Sequence, residues 1–310
     1  MNEFDLISRL TQSLPTNSSV IIGSGADCAV LDLGSPAHLL LFKTDAVVEG
    51  IHFTSETPPD MVGRKALART LSDIAAMGGQ PTAALITLAL PQNFNVSRVE
   101  GIYAGINQLA RKYGVAIVGG ETTTNPAATL ISVALIGTTP RGRVLSRAGA
   151  KYGDAIFVTG ELGGSLQGRH LEFEPRLAEG QWLAETFPVH AMLDVSDGVA
   201  GDLRHILKAS KVGAELLASS IPISRPARAA ARNGSSNKSP LVAALTDGED
   251  FELLFTLPAG QAVPLLDAWK KRFAAVRLSC IGKITNGSEI TIRDKSGLHP
   301  LSDHGYAHFS

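Results

Sequence analysis

Short apolar runs that end in small, polar turns recur along the whole chain, and they confine it to an architecture of alternating strands and helices. Cys28–Leu33, Leu39–Phe42, Ala83–Leu90, Val115–Val118 and Leu130–Ile136 are rich in Val, Ile, Leu and Ala and read as strands. Between them, Asp60 to Met77 reads as a helix, with Pro58-Pro59 before it and Gly78-Gly79 to end it. Val96 to Tyr113 is a second helix, carrying Val99, Ile102, Ile106, Leu109 and Ala110 on one face. Phe4, Leu6, Ile7, Leu10 and Leu14 mark one side of a short amphipathic helix at the start of the chain.

Around residues 138–154 the composition shifts to Gly, Arg and Pro, which places a domain junction there and predicts domains at 1–140 and 149–310. The second half restarts with a strand at Ala155–Val158 and continues with a helix from Val199 to Ser210. Strands at Glu215–Leu217 and Phe251–Leu257, a helix at Ala262–Phe273, and strands near Val276–Ile281 and Glu289–Ile292 follow. Ser224 to Pro240 is small, polar and basic, which predicts a mobile loop.

At 310 residues the chain has room for two ordinary domains. Lys+Arg 28 against Asp+Glu 29 leaves a net charge of -1, so no global basic field draws in nucleic acid. No apolar stretch approaches the ~18 residues that a membrane span needs. The acidic start Met1-Asn2-Glu3-Phe4-Asp5 lacks the order of a signal peptide, so the expectation is a soluble, cytoplasmic protein without a membrane partner. Cys28 and Cys280, far apart, read as small core residues of a reducing compartment.

The turns themselves carry the chemistry. They read Gly25-Ala26-Asp27, Lys43-Thr44-Asp45, Ser72-Asp73 and Gly119-Gly120-Glu121-Thr122-Thr123, then Asp194-Val195-Ser196-Asp197-Gly198 and Asp247-Gly248-Glu249-Asp250. Clustered carboxylates repel one another unless cations sit between them, and oxygen-only donor sets suit Mg²⁺. Carboxylates beside glycines that let backbone N–H groups approach an anion point to phosphate chemistry. Each string also has a plainer reading: Ser196 and Asp197 suit a helix N-cap, His52 a structural histidine, and Ser146-Arg147 a solvated linker. Asp194 at the end of an apolar strand and Asp73 late in a helix are harder to place without a cation. The P-loop string G-x-x-x-x-G-K-[ST] is missing, as are the protein-kinase set and any zinc-spaced Cys/His group. Gly23-Ser24-Gly25 is followed by Cys28 where a dinucleotide fingerprint wants glycine, and Gly164-Ser165-Leu166 makes no nucleophile elbow.

Taken together, these strings resemble the thiamine-monophosphate kinase family, within the ATP-binding superfamily that includes aminoimidazole ribonucleotide synthetase and selenophosphate synthetase. Gly25-Ala26-Asp27-Cys28-Ala29 looks like G-D-D-x-A, and Thr44-Asp45 through Glu49-Gly50-Ile51-His52-Phe53 like T-D-x-x-V-E-G-x-H-F. Leu71-Ser72-Asp73-Ile74-Ala75-Ala76-Met77-Gly78 matches L-S-D-x-A-A-M-G, and Gly119-Gly120-Glu121-Thr122-Thr123 is similar to G-G-D-T-T. Ser146-Arg147-Ala148-Gly149-Ala150-Lys151 is similar to S-R-S-G-A-K. Asp194 to Leu203 resembles D-x-S-D-G-L-x-x-D-L, and Asp247 to Leu253 resembles G-G-E-D-Y-E-L. Gly305-Tyr306-Ala307-His308-Phe309 looks like the closing G-[YW]-x-H-F.

The resemblance implies ATP-dependent phosphorylation of thiamine monophosphate to thiamine diphosphate. By it, Asp27, Thr44, Asp45, Asp73, Glu121, Asp194 and Asp197 would hold several Mg²⁺ ions. Gly120, Arg147, Ser196 and Tyr103 would contact ATP, and His52, Glu249 and Tyr306 the thiamine phosphate, whose thiazolium suits an acid and an aromatic face. The implied fold is α/β of the α+β type, in two domains. An N-terminal mixed sheet contributes to a barrel-like interface in a homodimer, and an α/β domain follows. Ala26 for the first acid of G-D-D, Glu121 for Asp and Asp247 for Gly depart from the pattern. They leave open a catalytically impaired nucleotide-binding paralogue, or another ATP-dependent synthetase of the superfamily.

Overall fold

Each half of the chain builds one sheet. A computed structural model describes residues 3–301. Its first half runs α1 (Glu3–Thr11), β1 (Val20–Ile22), β2 (Ala29–Leu31), β3 (His38–Val48), α2 (Pro59–Ala76), β4 (Gln80–Leu90), α3 (Val96–Tyr113), β5 (Ala116–Thr124) and β6 (Leu130–Pro140). These strands form a six-stranded mixed sheet in the order β1-β2-β3-β6-β4-β5. The one parallel pair among them, β4 with β5, is joined by the crossover helix α3.

The second half runs β7 (Asp154–Thr159), α4 (Arg169–Glu172), α5 (Leu177–Thr186), β8 (Ala191–Asp194), α6 (Val199–Ser210), β9 (Gly213–Leu217), α7 (Arg225–Asn233) and α8 (Pro240–Thr246). It closes with β10 (Leu253–Pro258), α9 (Ala262–Arg272), β11 (Leu278–Thr285), β12 (Ile290–Asp294) and β13 (Gly297–Pro300). The seven-stranded sheet has the order β13-β12-β9-β11-β7-β10-β8.

Strand alternation decides which face of the first sheet is covered. Leu39, Leu41 and Val47 of β3 are buried, as are Ile131, Val133 and Leu135 of β6 and Ala84, Ile86 and Leu88 of β4. Their neighbours point to the other face, where Phe42 and Leu85 remain exposed. α2 packs on the covered face, and also against α3, α5 and β8. A helix enclosed on all sides cannot be strongly amphipathic, and Val62, Ala66, Leu67, Leu71 and Ile74 are all buried beside Lys65, Ser72 and Asp73. One continuous core runs from Leu41 and Ile74 through Met192 to Phe255 and Trp269, so the two halves share it.

Three segments differ from the sequence-based expectation. Thr44-Asp45 and Gly119 to Thr123 lie within strands, not in turns, because β3 pairs with β6 over its whole length and β5 pairs with β4 as far as Thr124. Ser224 to Pro240 is mostly helical. Ser224 caps α7 by accepting from Ala227 N, Ser239 caps α8 by accepting from Val242 N, and each helix has a proline in its first turn. Small polar residues there are start signals around an Ala-rich helix. α4, α5 and β13 carry periodicity too brief to separate from loop. None of the described helices is long and apolar enough to cross a membrane.

α2 and α3 approach closely through two glycines. A Cβ on Gly63 would lie 1.9 Å from Ile102 O, and one on Gly105 would lie 1.9 Å from Asp60 O. Since backbone cannot yield as a side chain can, Gly105→Ala should destabilise the fold by at least about 2 kcal/mol, read as a lower urea midpoint.

Candidate active site

Asp27 precedes β2, Asp73 lies late in α2 and Asp194 ends β8, so three separate elements deliver one cluster. Each offers an oxygen within 4.8 Å of the others, and all three are buried. Lys43 Nζ donates to Asp73 Oδ1 at 2.9 Å and lies 3.6 Å from Asp45 Oδ1. Arg147 Nη2 and Nε donate to Asp27 Oδ1 at 2.7 and 3.1 Å. Ser72 Oγ donates to Asp194 Oδ2 at 2.6 Å.

Two cations among four carboxylates leave the charge uncompensated. Burial, then the neighbouring Asp27, push the Asp194 carboxyl up to about 6. Burial also drives Asp73 well above the ordinary range, against the pull of Lys43. Among the described residues Asp27 Oδ2 is buried without a hydrogen-bond partner. A buried orphaned oxygen beside two more carboxylates is a hard, anionic donor set, which fits a divalent cation such as Mg²⁺.

The remaining candidates fall elsewhere. Thr44 Oγ1 lies 3.3 Å from Ser132 Oγ on the uncovered sheet face. Glu121 pairs in register with Thr87, which alternation places on that same face. At Gly120 a Cβ would meet Ile86 O at 1.7 Å, so β4–β5 packing alone demands glycine there. Tyr103 lies on α3, packed against the core. Ser196 and Asp197 do not cap α6: its N-cap is Gly198, at φ 94°. They line a cleft together with His52, Glu249, Arg69 and Asp247. Tyr306 is outside the described residues.

This cleft contains groups that the sequence did not single out. Lys65 is fully buried; its Nζ donates to His52 O at 2.7 Å, lies 2.7 Å from His170 Nδ1, and pairs with Glu249. Arg69 Nη1 lies 3.0 Å from Glu249 Oε1, and His170 Nδ1 lies 3.4 Å from Glu249 Oε2. Burial opposes the Glu249 charge, but His170, Lys65 and Arg69 together hold this carboxyl down to about 2. Its backbone is left-handed, φ 56°, a strained state for a residue with a Cβ. The one available signal was the spacing of Lys65, Arg69 and Asp73 at successive fourth positions of an apolar helix.

Asp247, the departure from the family string, accepts from Gly164 N at 3.0 Å and from Lys238 Nζ at 2.9 Å. Asp250 accepts from Gly163 N and from Arg169, while Glu252 accepts from both Arg176 Nε and Nη2 at 2.7 Å. Asp247 and Asp250 therefore brace the loop around 160–168, and Glu252 ties down Arg176 at the start of α5.

A buried carboxyl raised from 3.8 to about 6 adds stability fully below about pH 4, and that contribution is lost as pH rises through 6. At pH 7.5 in EDTA, Asp194→Asn should therefore be more stable than the parent chain, on the order of 2 kcal/mol. It should also lose the rise in melting temperature that Mg²⁺ gives the parent; calorimetric melting with and without Mg²⁺ checks both.

Comparison with known proteins agrees over nearly the whole chain. The N-terminal domain of AIR synthase related protein matches residues 25–139, and its C-terminal domain matches residues 151–295. Thiamine-monophosphate kinase of Rhodopirellula baltica is 45% identical over 260 residues, covering 81% of this chain and 80% of that protein. The Bacillus subtilis thiamine-monophosphate kinase is 33% identical over 336 residues and covers 100% of both. The solved structure of AaThiL complexed with AMPPCP and TMP superposes with a TM-score of 0.82 at 31% identity, covering 99% of this chain and 97% of that one. This chain belongs to the thiamine-monophosphate kinase family.

Proposed function

We propose that this chain transfers the γ-phosphoryl group of ATP directly to thiamine monophosphate, forming thiamine diphosphate. The observation that carries the reading is the buried trio Asp27, Asp73 and Asp194, with its unpartnered oxygen, two residues from the cleft at Ser196. Relatives named for this activity, and AaThiL complexed with an ATP analogue and TMP, support it.

The acceptor phosphate has a second pKa of about 6 and is already largely ionised near neutrality, so no general base is required. Repulsion between two phosphate groups is the obstacle, and positioning with charge neutralisation is the task. In this reading Asp27, Asp45, Asp73, Asp194 and Asp197 hold magnesium, which when bound neutralises the two phosphates; Thr44 and Glu121, on the uncovered sheet face, would serve a separate ion. Lys43 and Arg147 balance the carboxylates and keep them aimed inward. Arg147, Ser196, Gly120 and Tyr103 receive ATP; His52, Glu249 and Tyr306 receive the thiamine moiety. Glu249 is matched by its own cations, so it orients the acceptor through hydrogen bonding more than through net charge. Residues 1–140 form the ATP and magnesium domain, residues 149–310 the second domain, and the cytoplasm supplies the ATP.

The purified chain should make thiamine diphosphate from thiamine monophosphate, ATP and Mg²⁺, and acid quench with γ-labelled ATP should leave no label on protein. ATP binding without product would instead support the impaired paralogue.

The uncovered sheet face, with Phe42 and Leu85 exposed, takes a second copy of the chain in a barrel-like homodimer. Light scattering should give twice the chain mass, and Phe42→Asp combined with Leu85→Asp should give the monomer.

A further inference from the structure

We propose that Arg69 binds the phosphate of the acceptor. This inference rests on the reading of the cleft as the acceptor site. Among the described residues lining that cleft, Arg69 is the one lysine or arginine. It sits one helical turn before Asp73, so it stands between the Glu249 end of the cleft and the carboxylate cluster.

The guanidinium is fixed on two sides. Nη1 donates to Glu249 Oε1 at 3.0 Å, and the group lies over the Phe251 ring, 5.7 Å from its centroid. Its Nε is buried and, among the described residues, has no hydrogen-bond partner. Leaving a buried N–H unpaired is costly, and a planar fork of donors matches phosphate oxygens. Lys65 cannot take this role, since its three donors are engaged by His52 O, His170 and Glu249. Glu249 therefore has two jobs. It contacts the acceptor, and it fixes the Arg69 guanidinium at the wall of the cleft.

Calorimetric titration of the full chain with thiamine monophosphate, and separately with unphosphorylated thiamine, tests this. The parent should favour the phosphate form by at least about tenfold, and Arg69→Gln should cut that preference to about threefold or less, with thiamine affinity within about twofold of the parent. Arg69→Lys, which keeps the charge but loses the fork, should give an intermediate ratio, and it decides the matter if Arg69→Gln does not fold. An unchanged ratio, equal weakening of both ligands, or a parent that binds both alike overturns the proposal. Binding needs no turnover, so product formation by the parent judges the catalytic reading separately.

Discussion

Three carboxylates held within 4.8 Å of one another in a buried site repel strongly, and the surrounding structure is arranged around that repulsion. Asp27 and Asp73 come from the half that builds the six-stranded sheet, and Asp194 comes from the last residue of β8 in the other sheet. Lys43 reaches in from β3 and Arg147 from the connector between the sheets. No single half contains the cluster, so the packing of the halves and the assembly of the site are one event. The shared core from Ile74 through Met192 to Trp269 supplies the hydrophobic drive that offsets the cost of bringing like charges together.

α2 organises the rest. Its buried face presents Lys65, Arg69 and Ser72-Asp73 along successive turns, so one rigid element spaces the cleft and the cluster. The helix is held by close backbone approach to α3 at Gly63 and Gly105, and movement there would shift both sites together. On the far wall, Glu249 sits in a left-handed conformation between Gly248, φ 71°, and Asp250, whose carboxylate is tied to Gly163 and Arg169. Strain of this kind persists where surrounding contacts over-determine it, and Lys65 and Arg69, with the His170 ring beside them, do so at Glu249.

Much of this is legible in the sequence alone. α3 and α6 begin and end where their apolar periodicity places them, because the side-chain pattern agrees with tertiary packing there. Asp27, Asp73 and Asp194, which form the buried trio, are among the seven residues the strings offered as ligands, since carboxylates are otherwise excluded from apolar surroundings. Thr44-Asp45 and Glu121 misread as turns, because Gly and Thr next to an acid look like punctuation unless the partner strand is known. The segment at 224–240 misread as a loop because serine and proline serve helix starts and turns alike.

The order of apolar runs and the chemical character of their ends were sufficient for the class of fold and the demand for divalent cations. Both are local properties: side-chain periodicity follows backbone geometry, and a carboxylate must be balanced wherever it is buried. Which acids meet was decided only in three dimensions. Asp197 joins the cleft, Thr44 and Glu121 face the uncovered side of the sheet, and Lys65, Arg69 and His170 converge on Glu249 from distant points of the chain. Electrostatic pairing acts across space and leaves no periodic mark along the chain, so the partners of a buried charge emerge only when the two halves pack.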